Sequence, residues 1–295
     1  MFRLEQPSPP LFHHNLDLLN DYVNDMVAPL DLGAMTTLRD HDCISYLDVD
    51  FFELLVLEDD DVQDLESLLS RDDRCQIVHV PEKMIINGRP ELIDLAEEDH
   101  VRRDIFIHRV NEISTMAASL SIPTVIHPGG VHADVVNRNA LHSILKSSLA
   151  ELDGILWLEN MPLHYHIDGE MQYCNLCTSP DEFIDLLPYL DGITLDVSHA
   201  YLSVRNNGNI TIASFFEELY SSIKHIHLSD AKYPDGEGLQ LGDGDVDFSA
   251  IPHIESVPVL LEIWNGHLNN GAGFAEALRR VRSANSWFKR SIFKD

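Results

Sequence analysis

The chain has 295 residues, 44% of them hydrophobic, a size that one barrel-scale domain fills without a second core. Its formal net charge is −29, from 49 acidic against 20 basic residues, so the surface repels nucleic-acid phosphates and favours cations. No apolar run reaches the ~18 residues of a membrane span, no basic-then-apolar leader opens the sequence, and four cysteines are too few for a disulfide scaffold. A cytoplasmic protein is expected.

Residues 1–27 read as a helical preface, and 28–295 as one α/β domain built of repeated β-α units. APLDLGA (28–34) is the expected first strand and FFELLVL (51–57) the second. CQIVHV (75–80) follows, closing on His79. Phe106, Val110, Ile113, Ala117 and Leu120 then recur at spacings of three and four, the stripe of a helix lying on a sheet. PTVIHP (123–128) closes on His127, and GILWLEN (154–160) on Glu159. Ser179, Pro180, Asp181 and Glu182 suggest a capped start to a helix through DEFIDLLPYL. GITLDVS (192–198) closes on Asp196, with His199 just beyond, and IKHIHLS (223–229) carries His227 ahead of Asp230. GDGD (242–245) holds acidic residues and is expected as a tight turn rather than a phosphate loop. VPVLLEI (257–263) closes on Glu262, and Phe274, Ala277, Leu278 and Val281 mark a final helix. These runs are β-branched, continuous and flanked by Gly, Pro or Asp, as strands buried on both faces require. Eight of them close a (β/α)₈ TIM barrel.

In such a barrel every strand C-terminus opens on one rim. The third to eighth strands then bring His79, His127, Glu159, Asp196, His227 and Glu262 around one cavity. Any one of these residues is unremarkable at a strand end. Six in a row are not, because buried carboxylates and imidazoles are costly together unless a cation compensates. Mixed carboxylate and imidazole donors suit a divalent metal.

The ordered motifs LWLENMP, ITLDVSHAYL, HIHLSDA, LQLGDGDVDF and LLEIW resemble the xylose-isomerase-like barrel superfamily, which includes sugar isomerases, ketose 3-epimerases and endonuclease IV-type enzymes. The resemblance runs from about residue 50 to 285. It implies that Glu159, Asp196, His227 and Glu262 hold a divalent ion (Mn, Zn, Mg or Co). It also implies that Glu159 and Glu262 shuttle a proton through a metal-stabilised enediolate, with His199 touching substrate. The endonuclease branch implies a second ion on His79 and His127, bridged by Glu159.

The chain departs from both branches. The Asp-x-His pair of a third zinc falls on Gly236 and Gly238, an arginine common in epimerases on Tyr233, and a further acidic residue on Tyr165. Trp157 and Trp264 could stack on a sugar, although core packing is the plainer role; Trp264 is kept as a substrate-binding candidate. Cys174 and Cys177 form a lone C-x-x-C, expected as reduced thiols, with an accessory zinc clip of His164, His166 and the two cysteines as the other possibility. The resulting expectation is a metal-dependent isomerase or epimerase of a small sugar or polyol. Its rivals are a two-metal phosphodiester hydrolase and a barrel that binds without turnover. Neither a nucleic-acid nor a membrane partner is expected, and a homo-oligomer stays open.

Overall fold

Eight short strands pair in parallel and close on themselves: β1 (Leu32–Thr36), β2 (Phe51–Leu55), β3 (Cys75–His79), β4 (Thr124–Ile126), β5 (Leu156–Glu159), β6 (Gly192–Asp196), β7 (Ile223–Leu228) and β8 (Val259–Leu261). They follow chain order around the barrel, and β1 meets β8 through Leu32–Val259, Gly33–Leu260 and Ala34–Leu261. The computed structural model describes residues 31–167, 169–204, 211–248, 251 and 257–288, so the expected preface over 1–27 lies outside the described residues. The first strand begins later than APLDLGA suggests, and residues 28–30 also fall outside.

Helices α1 (His41–Ile44), α2 (Val62–Arg71), α3 (His100–Ser119), α4 (Arg138–Leu149), α5 (Val197–Val204), α6 (Ile212–Leu219) and α7 (Leu268–Phe288) surround the strands. Side chains cap the first turns of α2, α3, α4 and α6. Asp61 accepts from Gln63 N, Asp99 from Val101 N and Arg102 N, Asn137 from Ala140 N, and Thr211 from Ser214 N. In α7, Asn269, Asn270 and Gly271 take left-handed backbone angles, and the expected stripe of Phe274, Ala277, Leu278 and Val281 is buried beyond that kink.

The helix expected through DEFIDLLPYL does not form. Two 3₁₀ turns stand there instead, Pro180–Phe183 and Leu187–Tyr189. Pro188 lacks the N–H that would bond the Ile184 carbonyl, and its ring would clash with that carbonyl, so an α-helix cannot continue through it. The expected start is real, since the Glu182 carboxylate accepts from the N–H groups of Thr178 and Ser179.

Strand periodicity sorts the residues into two sets. Phe52, Leu54, Val78, Leu158, Leu195, Ile226 and Leu261 belong to the main core, which includes the buried side chains of the helices. Their alternates face the barrel interior. Phe51, Ile77, Val125 and Leu260 form an apolar floor there, with Met35 and Trp157 packed against it. Burying each such large side chain contributes roughly 1.5–3 kcal/mol.

Polar residues line the barrel above that floor, and loops from the strand C-termini build walls around them. The walls include the hairpins Lys83–Ile86/Arg89–Leu92 and Asp230–Lys232/Gly236–Leu239 and the small sheet of Val131–His132, His164–Ile167 and Glu170–Cys174. Asn87 and Gly88, both at positive φ, make the two-residue turn of the first hairpin.

Candidate metal centre

Asp196 ends β6 fully buried, and its surroundings fix it tightly. Ser198 Oγ donates to its Oδ1 at 2.8 Å, and the backbone N–H of His199 donates to the same oxygen. Asn160 clamps the neighbouring backbone, with Oδ1 accepting from Asp196 N at 2.7 Å and Nδ2 donating to Asp196 O at 3.0 Å. The other carboxylate oxygen, Oδ2, has no hydrogen-bond partner. Asp196 belongs to a group with Glu159, His227 and Glu262 whose ligand atoms are all within 4.8 Å of one another.

His227, at the end of β7, is likewise fully buried. Its Nε2–H donates to Glu53 Oε2 at 3.2 Å. Its Nδ1 has no hydrogen-bond partner, yet it lies 3.2 Å from Glu262 Oε2 and 3.5 Å from Glu159 Oε1. A neutral imidazole with Nε2 protonated aims a lone pair from Nδ1 at carboxylate lone pairs, so a proton or a cation must lie between them.

The same conflict recurs around Glu159. His79 donates from Nδ1 to the Val80 carbonyl at 2.8 Å, leaving Nε2 3.2 Å from Glu159 Oε2. His127 Nε2 lies 3.3 Å from that oxygen. His199 donates from Nδ1 to the Asn160 carbonyl at 2.8 Å, and its Nε2 faces Glu237 Oε2 at 3.1 Å. Glu159 thus turns Oε2 toward His79 and His127 and Oε1 toward His227 and His199. His79, His127 and Glu159 make a second group with ligand atoms within 4.8 Å of one another.

The titration behaviour follows from this crowding. Burial opposes the charge on His79, but the Glu159 and Glu53 carboxylates outweigh it and push the imidazole up to about 9. His227 and His199 are raised well above the ordinary value, again against burial, by the carboxylates around them. Burial would raise Glu159, yet His227 and His127 hold it well below the usual carboxylate range. Burial dominates at Asp196 and raises it. Each group that holds an extra proton here is one that a divalent cation could relieve of it, so the donor set fits such an ion.

The site opens into a cavity of ≈ 580 Å³ at the strand C-termini. Its lining includes Glu159, Glu262, His199 and Trp264. Trp264 is 59% exposed rather than in the core. Trp157 instead sits on the apolar floor, its ring 5.9 Å from that of His225, and is not a rim residue. The lining also carries Asp40, Glu82 and Glu237, against the single guanidinium of Arg39, which pairs with Asp59.

The departures noted in the sequence have physical counterparts. Gly238 has φ +63, and a Cβ there would meet Trp264 Cδ1 at 2.2 Å, so no side chain fits where the Asp-x-His pair would end. Glu237, between the two glycines, is the residue that reaches His199. Tyr165 OH donates to Glu82 Oε1 at 2.5 Å, so the carboxylate near that wall comes from the loop after β3. The zinc clip is not assembled. His166 pairs with Asp235, His164 stacks edge-on to Tyr173, and the two thiols lie in different apolar clusters, Cys174 with Met161 and Tyr165, Cys177 in the main core. GDGD is the expected turn, and the N–H groups of Gly242 and Gly244 are occupied by Asp230 Oδ2, both at 2.9 Å.

Glu53, His225, Glu82 and Glu237 went unremarked in the sequence. Two carried a signal: Glu53 interrupts an otherwise apolar strand, and His225 shares a strand face with His227. Glu82 and Glu237 sit in hairpin loops with no pattern to mark them.

A family model described as xylose isomerase-like TIM barrel matches residues 42–285. Comparison with curated proteins finds no match. Similar solved structures include a Rhodospirillum rubrum ATCC 11170 protein provisionally assigned as a xylose isomerase, at 11% identity and TM-score 0.59, with 88% of this chain and 99% of that one covered. An AP endonuclease, family 2, from Brucella melitensis aligns at 15% identity and TM-score 0.54 over 90% and 100% of the two chains. A Bacillus anthracis protein provisionally assigned as the 3-DHS dehydratase AsbF aligns at 14% identity and TM-score 0.56 over 85% and 97%. At these identities the structures speak for the fold alone.

Proposed function

The chain belongs to the xylose isomerase-like TIM barrel family, and from that premise we propose that it is a divalent-metal-dependent isomerase or epimerase of a small, uncharged sugar or polyol. The carrying observation is the convergence of Glu159, Asp196, His227 and Glu262, with Asp196 Oδ2 and His227 Nδ1 buried and without hydrogen-bond partners. Those four residues would hold a divalent ion, whose charge would stabilise an oxyanion developing on the substrate.

The remaining work belongs to the side chains. Glu262 is the accessible carboxylate, 23% exposed against 1% for Glu159, and it removes the proton from carbon next to the carbonyl. Glu159, whose Oε2 faces the protonated His79 at 3.2 Å, returns a proton taken from that imidazole, and the proton gained by Glu262 passes to solvent. His199 reaches substrate through Nε2, a substrate oxygen taking the place that Glu237 Oε2 holds at 3.1 Å, and Trp264 offers an apolar face to the ring carbons. The cavity favours a neutral ligand, because a phosphate or carboxylate would meet Asp40, Glu82 and Glu237 with little cationic compensation.

The second reading is a two-metal phosphodiester hydrolase. The group of His79, His127 and Glu159 favours it, since Glu159 is shared by both groups. A panel of unphosphorylated aldoses and ketoses, incubated with Mn²⁺, Zn²⁺, Mg²⁺ or Co²⁺ in deuterated water, separates the two. Deuterium at the carbon beside the carbonyl, accompanied by isomer or epimer formation, is expected. Metal-dependent phosphodiester cleavage without any sugar turnover would replace the first reading with the second.

A further inference from the structure

Below the candidate ligands, on the interior layer between floor and rim, lies a second polar group that the proposed chemistry does not use. Glu53, on β2, is fully buried and stands among apolar neighbours in sequence, FFELL. His225 and His227 are two apart on β7 and therefore face the interior together. β2 and β7 are separated by β1 and β8 around the barrel, so these side chains meet across its interior.

Their contacts are directional. His225 Nδ1–H donates to the Pro258 carbonyl at 3.0 Å, and its Nε2 lies 2.8 Å from Glu53 Oε2. Both neighbours of His225 are acceptors, so a proton lies between Nε2 and Oε2, and the two side chains form one hydrogen-bonded unit. Phe51 and Trp157 pack around the His225 ring, with centroids at 5.8 and 5.9 Å. That unit presents the Glu53 carboxylate to His227 Nε2, which is 3.2 Å from both of its oxygens.

A burial this deep is expensive for a carboxylate and has an apolar alternative, because Leu would match the strand around it. Its position has a consequence for the layer above. By taking the Nε2–H of His227, Glu53 fixes the tautomer that leaves Nδ1 bare toward Asp196, Glu159 and Glu262, and it holds the ring plane. We propose that Glu53, anchored by His225, is the positioning residue of the metal centre, setting the tautomer, orientation and basicity of His227. The inference rests on the metal reading of the upper site.

The test is Co²⁺ affinity by chelator competition, with the visible Co²⁺ spectrum and circular dichroism, for the wild type, Glu53→Gln and Glu53→Leu. Glu53→Gln keeps an oxygen that can accept from His227, whereas Glu53→Leu keeps none. Loss of such a partner typically weakens metal binding ~10–100-fold. The expected order is therefore wild type, then Gln, then Leu, with shifted Co²⁺ bands in Leu while the barrel's circular dichroism is unchanged. Should Glu53→Leu fail to fold, ¹⁵N chemical shifts of His227 in the Zn²⁺-loaded wild type carry the test, and Nδ1 ligation with a protonated Nε2 is expected. Ligation through Nε2, or wild-type affinity and spectra in both variants, would overturn the role of Glu53 alone. A wild type that binds no Co²⁺ would overturn the metal reading together with it.

Discussion

Glu262 Oε2 lies 3.2 Å from His227 Nδ1, and with the Nε2–H given to Glu53 only an extra proton or a cation can sit between the two. The two residues close β8 and β7, adjacent strands whose register pairs His227 with Leu260. Glu262 is also the accessible member of the group, which makes it the candidate base. Glu262→Gln keeps an oxygen for coordination but cannot accept a proton near neutral pH. Turnover of a sugar substrate is expected to fall ~10⁴-fold or more, at the upper end of general acid–base effects, with metal retained at lowered affinity. Solvent-deuterium exchange measured on the metal-loaded variant checks this. Exchange at the wild-type rate would move the base to Glu159 or replace the enediolate by a hydride shift.

The metal-free protein should lose stability as pH rises through neutrality. His79 is raised from 6.5 to about 9, because carboxylates outweigh burial, so its stabilisation is complete below about 6.5 and gone above about 9. A shift of that size corresponds to at most roughly 3 kcal/mol. Asp196 is raised by burial, so its folded-state ionisation also costs stability as pH climbs past the ordinary carboxylate range. A divalent ion displaces those protons, so its affinity should rise over the same interval. Thermal melts at pH 6.5 and 9, with chelator and with Mn²⁺, read both slopes. A metal-free melting temperature that rises with pH would contradict the crowding argument.

His79→Ala and His127→Ala should leave the ion held by Glu159, Asp196, His227 and Glu262 in place, since neither histidine belongs to that group. They should abolish any second ion. Elemental analysis of each variant after dialysis against excess Zn²⁺ tests this, and loss of all metal from either one would merge the two groups into a single site.

The charge of the cavity predicts its ligands. Unphosphorylated sugars should be preferred over their phosphates, and abasic duplex DNA should show negligible affinity at ~0.15 M salt, where a −29 surface offers few phosphate contacts. Equilibrium binding to a labelled abasic duplex and competition between a ketose and its phosphate supply the measurements. Saturable cleavage of the duplex at low enzyme concentration would favour the hydrolase reading instead.

Much of this architecture was legible in the sequence for one reason. A parallel barrel gathers strand C-termini on one rim, so a polar residue closing each apolar run is already placed before any coordinate is known. His79, Glu159, Asp196 and His227 follow that rule. Trp264 is a candidate from sequence, but its exposure is not legible there, because it depends on Gly238, on the neighbouring hairpin, leaving the indole room. Glu53 is hidden for a similar reason: its partners His225 and His227 are 172 and 174 residues away and meet it only once the barrel closes. Over DEFIDLLPYL the capped start favours a helix locally, but Pro188 prevents its continuation and two 3₁₀ turns form instead.

The central claim, that converging carboxylates and imidazoles hold a divalent ion, is tested most directly by elemental analysis of protein purified without added metal. Wild type, Asp196→Ala and His227→Ala should be compared after dialysis against a common limiting metal buffer, with circular dichroism confirming the fold. The account predicts at least one tightly held divalent ion per wild-type chain and far less than one in each folded variant. A wild-type chain that holds no ion, or variants that retain it in full, would contradict it.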